Sequence, residues 1–131
     1  MMSIGAVKAV EIGDGINVSL AHASENNDNF CLSEGTISKG SNHSGGILGG
    51  MSDGDTIVIK AHIKPTPSIA RPQSTVTKDG EETTIEIHGR HDPCIVPRAI
   101  VVVEAMAAIT ILDALLLNMT AKLDNIKKFY E

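Results

Sequence analysis

Between His88 and Cys94 the chain packs five side chains that can bind ligands or move protons into seven residues: His88, Arg90, His91, Asp92 and Cys94. The run that holds them, Gly89-Arg-His-Asp-Pro-Cys-Ile-Val-Pro97, opens directly onto a long apolar segment. Three kinds of chemistry are open to it. His, Asp and Cys are all metal ligands, but their spacing departs from the common zinc patterns and no CxxC or HxxxH completes the set, so no metal is assigned. Arg90 offers a planar fork of donors suited to phosphate or carboxylate, and Asp92 beside it can exchange a proton. The remaining option is structural, a turn in which Asp92 caps and Arg90 pairs with a carboxylate.

Two other stretches bear on ligand binding. Gly45-Gly-Ile-Leu-Gly-Gly50 lacks the order of a dinucleotide or phosphate loop and follows no strand. Its paired glycines suit either close backbone approach to a flat ligand or another chain, or a flexible surface loop. Lys64-Pro-Thr-Pro-Ser68 places one cation and two hydroxyls on a segment that two prolines hold extended. Such a pre-ordered segment binds phosphate at reduced entropic cost, or simply serves as a strand exit. His43, His62 and Cys31 carry no spacing signal.

The elements that must position these groups follow from periodicity. Ala6–Ile12 reads as a strand closed by Gly13-Asp-Gly15, and Ile16–Ala23 as a helix with Asp14 at its N-cap. Residues 24–55 are rich in Ser, Asn, Gly and Asp without periodicity, which predicts a mobile, ligand-binding loop. Thr56–Lys64 is a strand with Ile57, Ile59, Ala61 and Ile63 on one face. Ser74–Lys78 and Glu82–His88 flank Asp79-Gly80, a strong hairpin signal. Residues 97–119 form the core helix, begun at Pro97. Its two acids, Glu104 and Asp113, emerge on opposite sides at about 100° per residue, so it has no continuous polar face. It therefore requires cover on more than one side, as when packed between two sheets. The chain offers about four short strands for that purpose, so either the sheets need another chain or part of the protein lies elsewhere. Met119–Glu131 is a polar tail, frayed helix or contact arm.

Composition sets the outer limits. At 131 residues the chain is about one domain, long enough to bury about 65–70% of its surface. Only Phe30, Phe129 and Tyr130 are aromatic, so a core must come from aliphatic residues and Met. A net charge of −5 gives no basic face for nucleic acid. Glu104 and Asp113 argue against a membrane span for the apolar run. The N-terminus lacks the pattern of a signal peptide. Cys31 and Cys94 have no framework spacing, which fits a reducing compartment such as the cytoplasm.

Four runs, in order, carry a resemblance: Ile4-Gly-Ala-Val-Lys-Ala-Val-Glu-Ile-Gly13, Ser41-Asn-His-Ser-Gly-Gly-Ile-Leu-Gly-Gly50, Lys64-Pro-Thr-Pro-Ser-Ile69 and Gly89-Arg-His-Asp-Pro-Cys94 with Arg98-Ala99 and Val103–Met106 beyond it. Together they resemble the C-terminal part of the chorismate synthases. The resemblance implies an α+β fold, a β-α-β sandwich with a long buried helix packed between antiparallel sheets, assembled as a cytoplasmic homotetramer. It implies the conversion of 5-enolpyruvylshikimate 3-phosphate to chorismate and phosphate, with reduced FMN as cofactor and NADP associated with the family. Carried over by motif, Gly5, Ala6, Gly49, Lys64, Pro65, Thr66, Pro67, Ser68 and Arg90 match FMN contacts, with Arg90 also reaching the phosphorylated substrate. Asp92 matches the acid proposed to exchange a proton near the flavin. The family's N-terminal half, with its catalytic histidines and most substrate-binding arginines, has no counterpart among these residues, so the chain alone is expected to be inactive. The competing expectation is a non-catalytic flavin-binding, anion-binding or oligomerisation module.

Overall fold

In the computed structural model, which describes residues 1–131, the chain runs β1 (Val7–Ile12), a 3-10 turn (Gly15–Ser19), α1 (Ala23–Asn26), β2 (Phe30–Ser33), β3 (Thr36–Lys39), β4 (Ile47–Leu48), β5 (Met51–Ser52), β6 (Ile59–Ile63), β7 (Gln73–Val76), β8 (Glu82–Ile85), α2 (Val96–Met119) and α3 (Leu123–Tyr130). It divides into two units, Met1–Ile63 and Lys64–Glu131. All four pairings are antiparallel and two-stranded, and together with the long helix they make an α+β fold.

In the first unit β1 pairs with β6, with Val10 opposite Ala61 and Ile12 opposite Ile59. The register slips between Val7 and Ala9, a bulge that leaves Lys8 as the extra residue. Along β6 the expected alternation holds: Ile59, Ala61 and Ile63 are half-buried while Lys60 and His62 are exposed. The predicted helix after β1 is a short 3-10 turn instead, and Asp14 makes no cap. Its carboxylate is engaged elsewhere, by His43.

Residues 24–55 are not one irregular loop. They hold α1 and two hairpins, β2–β3 and β4–β5. Each hairpin closes on two residues with positive φ, Glu34-Gly35 and Gly49-Gly50, the turn whose twist matches paired strands. These strands, of two to four residues, are too short to show a period of two.

In the second unit β7 and β8 pair from Gln73–Ile85 to Val76–Glu82. The connection is one residue longer than an Asp-Gly turn. Thr77 N–H donates to the Glu81 carbonyl at 2.8 Å, and Gly80 alone takes positive φ, the geometry of a bulged loop. Helix α2 begins within a residue of Pro97 and runs unbroken for 24 residues.

The expected burial of α2 is overturned. No residue of the helix is buried, and Ile109, Leu112, Leu115, Leu116 and Leu117 are all exposed. The reason is supply: the strands of its own unit are a single hairpin of mostly Ser, Thr, Gln and Glu, which has no apolar face to offer. Only Val7 is a buried apolar side chain in the whole chain, so the core that length alone predicts is absent.

Candidate functional site

The Pro-rich segment and the Gly89–Pro97 run meet in the second unit. They enclose a cleft of about 250 Å³ lined by Thr66, Ser68, Ile87, Gly89, His91 and Asp92, among others. Pro65 biases Lys64, and Pro67 biases Thr66, toward extended backbone, which stiffens the strip that carries the Thr66 and Ser68 hydroxyls. The Thr66 hydroxyl is buried and has no hydrogen-bond partner within the chain. A buried hydroxyl left in that state costs about 1–3 kcal/mol.

Asp92 is half-buried, and its Oδ2 pairs with Arg98 Nη1 at 3.0 Å. Arg98 stands in the first turn of α2, so the helix start anchors the carboxylate at the rim of the cleft. This partner differs from the one expected for a simple turn, in which Asp92 caps the helix: the N-cap position is Ile95, with no side-chain cap. His88 points to Glu86, Nε2 to Oε1 at 3.3 Å, and Cys94 is exposed. Arg90 is exposed and does not line the cleft; nor do Lys64, Pro65 or Pro67. Thr66, Ser68 and Asp92 are thus the predicted residues that one cavity brings together.

The remaining predicted residues, Gly5, Ala6 and Gly49, belong to the first unit. A Cβ on Gly5 or Gly49 would meet nothing within 4 Å, so neither glycine is required by packing inside the chain. Ala6 has φ +68°, a left-handed conformation unusual for alanine, just before the bulge of β1. Gly45 and Gly46 differ. A Cβ on Gly45 would strike the backbone of Gly13, and one on Gly46 would lie 2.7 Å from the Thr56 carbonyl oxygen. Half of the glycine-rich run therefore makes close backbone contacts, and the other half is an open turn.

Next to those glycines lies a polar network that spacing did not reveal. Asp28 accepts four hydrogen bonds, from Ser41 Oγ (2.7 Å), His43 N–H (2.7 Å), Ser44 N–H (2.9 Å) and Ser44 Oγ (2.7 Å). Burial opposes its ionisation, but the bonds from Ser44, Ser41 and His43 outweigh that and hold the carboxyl well below the usual carboxylate range. Asn42 ties the same turn to the segment before β6, donating to the Thr56 carbonyl at 2.9 Å and accepting from Gly46 N–H at 2.7 Å. His43 Nδ1 lies 2.6 Å from Asp14 Oδ2. Lys39, whose side chain is 6% exposed, pairs with Asp53 at 2.7 Å and Asp55 at 2.8 Å. Hydrogen bonds to Asp53 and then Asp55 push its ammonium well above the usual lysine range, and Lys39 in turn holds Asp53 below its own. Apart from the Asn42–Gly46 bond, these contacts join residues 13 to 29 positions apart, and no local pattern signals them. Their role is to fix the Ser41–Gly46 turn against the end of β1.

Comparison with known proteins identifies the family. A family model described as chorismate synthase matches residues 1–116. The chain is 61% identical over 131 residues to the chorismate synthase of Agathobacter rectalis, covering 100% of this chain and 36% of that protein. It is 56% identical over 130 residues to that of Lachnospira eligens, and 52% identical over 130 residues to that of a Sulfurovum species, covering 99% of the chain in both and 36% and 35% of those proteins. The chain therefore spans about a third of the length of the curated relatives it matches. On sequence, fold and the matched span, this chain belongs to the chorismate synthase family.

Proposed function

We propose that this chain supplies one wall of a chorismate synthase active site, the wall that meets flavin and phosphorylated substrate. The observation that carries this reading is the convergence of Thr66, Ser68 and Asp92 on one cleft. At about 250 Å³ it is smaller than a pocket for a whole cofactor, which takes about 300–1,000 Å³, and fits a phosphoryl group or one edge of a ring. Reduced FMN, when bound, lends the electron density that helps phosphate leave 5-enolpyruvylshikimate 3-phosphate, with no net redox change.

In this reading Thr66 and Ser68 donate to anionic oxygens, Lys64 supplies charge from the same strip, and Arg90 binds flavin and substrate from the facing run. Asp92, anchored by Arg98, holds or releases a proton at its free oxygen. Gly5, Ala6 and Gly49 give the flavin close access to backbone. The complete enzyme is a cytoplasmic homotetramer, and residues outside this chain provide the remaining substrate contacts. The 131-residue chain alone is inactive.

The test is phosphate release measured anaerobically with reduced FMN. The isolated chain should give none, and turnover by it would overturn the proposal of a shared site. In the longer polypeptide that carries this segment, Asp92→Asn should lower kcat by about 100-fold or more, the usual contribution of a proton-transfer group.

A further inference from the structure

Hairpin β4–β5 has a buried base and an open tip. Gly45 and Gly46 are buried, whereas Gly49 and Gly50 are exposed, with space for a Cβ on either. Its strands are two residues each, and Leu48 and Met51 are exposed, so no apolar cover holds the pair in place. A hairpin this small does not keep a direction by itself. Its base must supply one.

Two sets of bonds do so. On the side of β4, Gly46 N–H donates to Asn42 Oδ1 at 2.7 Å, and the Gly46 carbonyl accepts from Asp53 N–H at 3.1 Å. On the side of β5, Asp53 Oδ2 accepts from Lys39 Nζ at 2.7 Å and Asp53 Oδ1 from Asp55 N–H at 3.0 Å. Lys39 is the last residue of β3, and its ammonium also lies 2.8 Å from Asp55 Oδ2 and 4.0 Å from Asp28 Oδ2. The Lys39 side chain is 6% exposed and that of Asp53 17%, so solvent and salt screen this pair far less than a surface pair. Of the two anchors, the charge-assisted one at Lys39 is the stronger.

We propose that Lys39 is a positioning residue for flavin binding: by gripping Asp53 at the end of β5, it aims the exposed Gly49-Gly50 turn at the cofactor. The inference rests on the reading that Gly49 gives the flavin access to backbone, and it adds the residue that sets where the turn stands.

The experiment uses the longer polypeptide that carries this segment, with Lys39→Met, Lys39→Arg and Asp53→Asn. FMN binding is followed by flavin fluorescence, amide exchange by mass spectrometry, and KM for the phosphorylated substrate by phosphate release at saturating FMN. If the freed turn stands correctly for about a tenth of the time, the apparent Kd for FMN rises about 10-fold. Lys39→Met should show that rise, with faster exchange across residues 46–53 and with KM and the exchange of β1 and β6 unchanged. Lys39→Arg keeps a charged donor and should restore most of the affinity. A merely structural Lys39 would instead lower the melting temperature and leave the FMN affinity of the folded protein as it was, and that result would overturn the proposal. Removing Lys39 leaves three carboxylates without their cation, so Lys39→Met can fail to fold. Asp53→Asn breaks the same charge pair at constant size and should weaken FMN binding in the same direction; unchanged affinity in that folded variant would equally overturn the role of Lys39. A wild-type protein that folds yet binds no FMN would overturn the flavin reading beneath it.

Discussion

At the scale of single residues, Asp28 is the group on which the first unit most depends. Four donors converge on it, and hydrogen bonds to a charged group contribute about 1.5–3 kcal/mol each, with much of the sum lost to desolvation and non-additivity. Asp28→Ala should therefore destabilise the unit by about 2–3 kcal/mol in a urea titration followed by circular dichroism. Because its folded-state pKa lies below its unfolded value, the unfolded chain takes up the proton first on acidification. The stability it confers is full above about pH 5 and drains away below about pH 4; Asp28→Ala should flatten that part of the pH profile. The glycines make a second contrast. Gly45→Ala adds a collision with the Gly13 backbone to the strain of positive φ and should cost about 2 kcal/mol or more, whereas Gly49→Ala meets open space and should cost about 1 kcal/mol. Thermal melts of the two variants compare them directly.

At the scale of elements, the β7–β8 hairpin turns on one left-handed residue. Gly80→Val should weaken it by about 1–2 kcal/mol, visible as faster amide exchange at Thr77 and Glu81. This hairpin, β1, β6 and α2 were legible in the sequence because each carries its signal locally: Asp79-Gly80, the alternation of Ile59, Ala61 and Ile63, and the apolar run after Pro97. Of the residues that the order of motifs singled out, Thr66, Ser68 and Asp92 line one cleft, while Lys64, Pro65, Pro67 and Arg90 do not. What stayed hidden depends on distant partners. Nothing near Asp28 announces that residues 41, 43 and 44 will bind it, and nothing near Asp14 announces His43. The hairpins within 24–55 were hidden for another reason: strands of two to four residues are too short for alternation to register.

At the scale of the whole molecule, surface decides. Two separate compact units of about half this mass each would expose about 8,000 Å² in total, and the chain exposes 10653 Å². Exposed aliphatic side chains are spread along the chain, and many lie on α2, which is long and apolar enough to cross a membrane by length and composition yet carries Glu104 and Asp113. An uncovered apolar helix of this size drives association. The isolated chain should therefore sediment as aggregates or oligomers, and Leu116→Lys with Leu112→Lys should shift it toward monomer. In the homotetramer proposed for the complete enzyme, the same pair should abolish assembly, as measured by sedimentation velocity. Retained assembly would show that the helix needs no cover there. The pairing of Asp92 with Arg98 gives this exposure a further meaning. Because that pair is largely exposed, it links the cleft to the first turn of the helix by only about 1 kcal/mol or less, so the cover of the helix and the setting of the acid are close to independent.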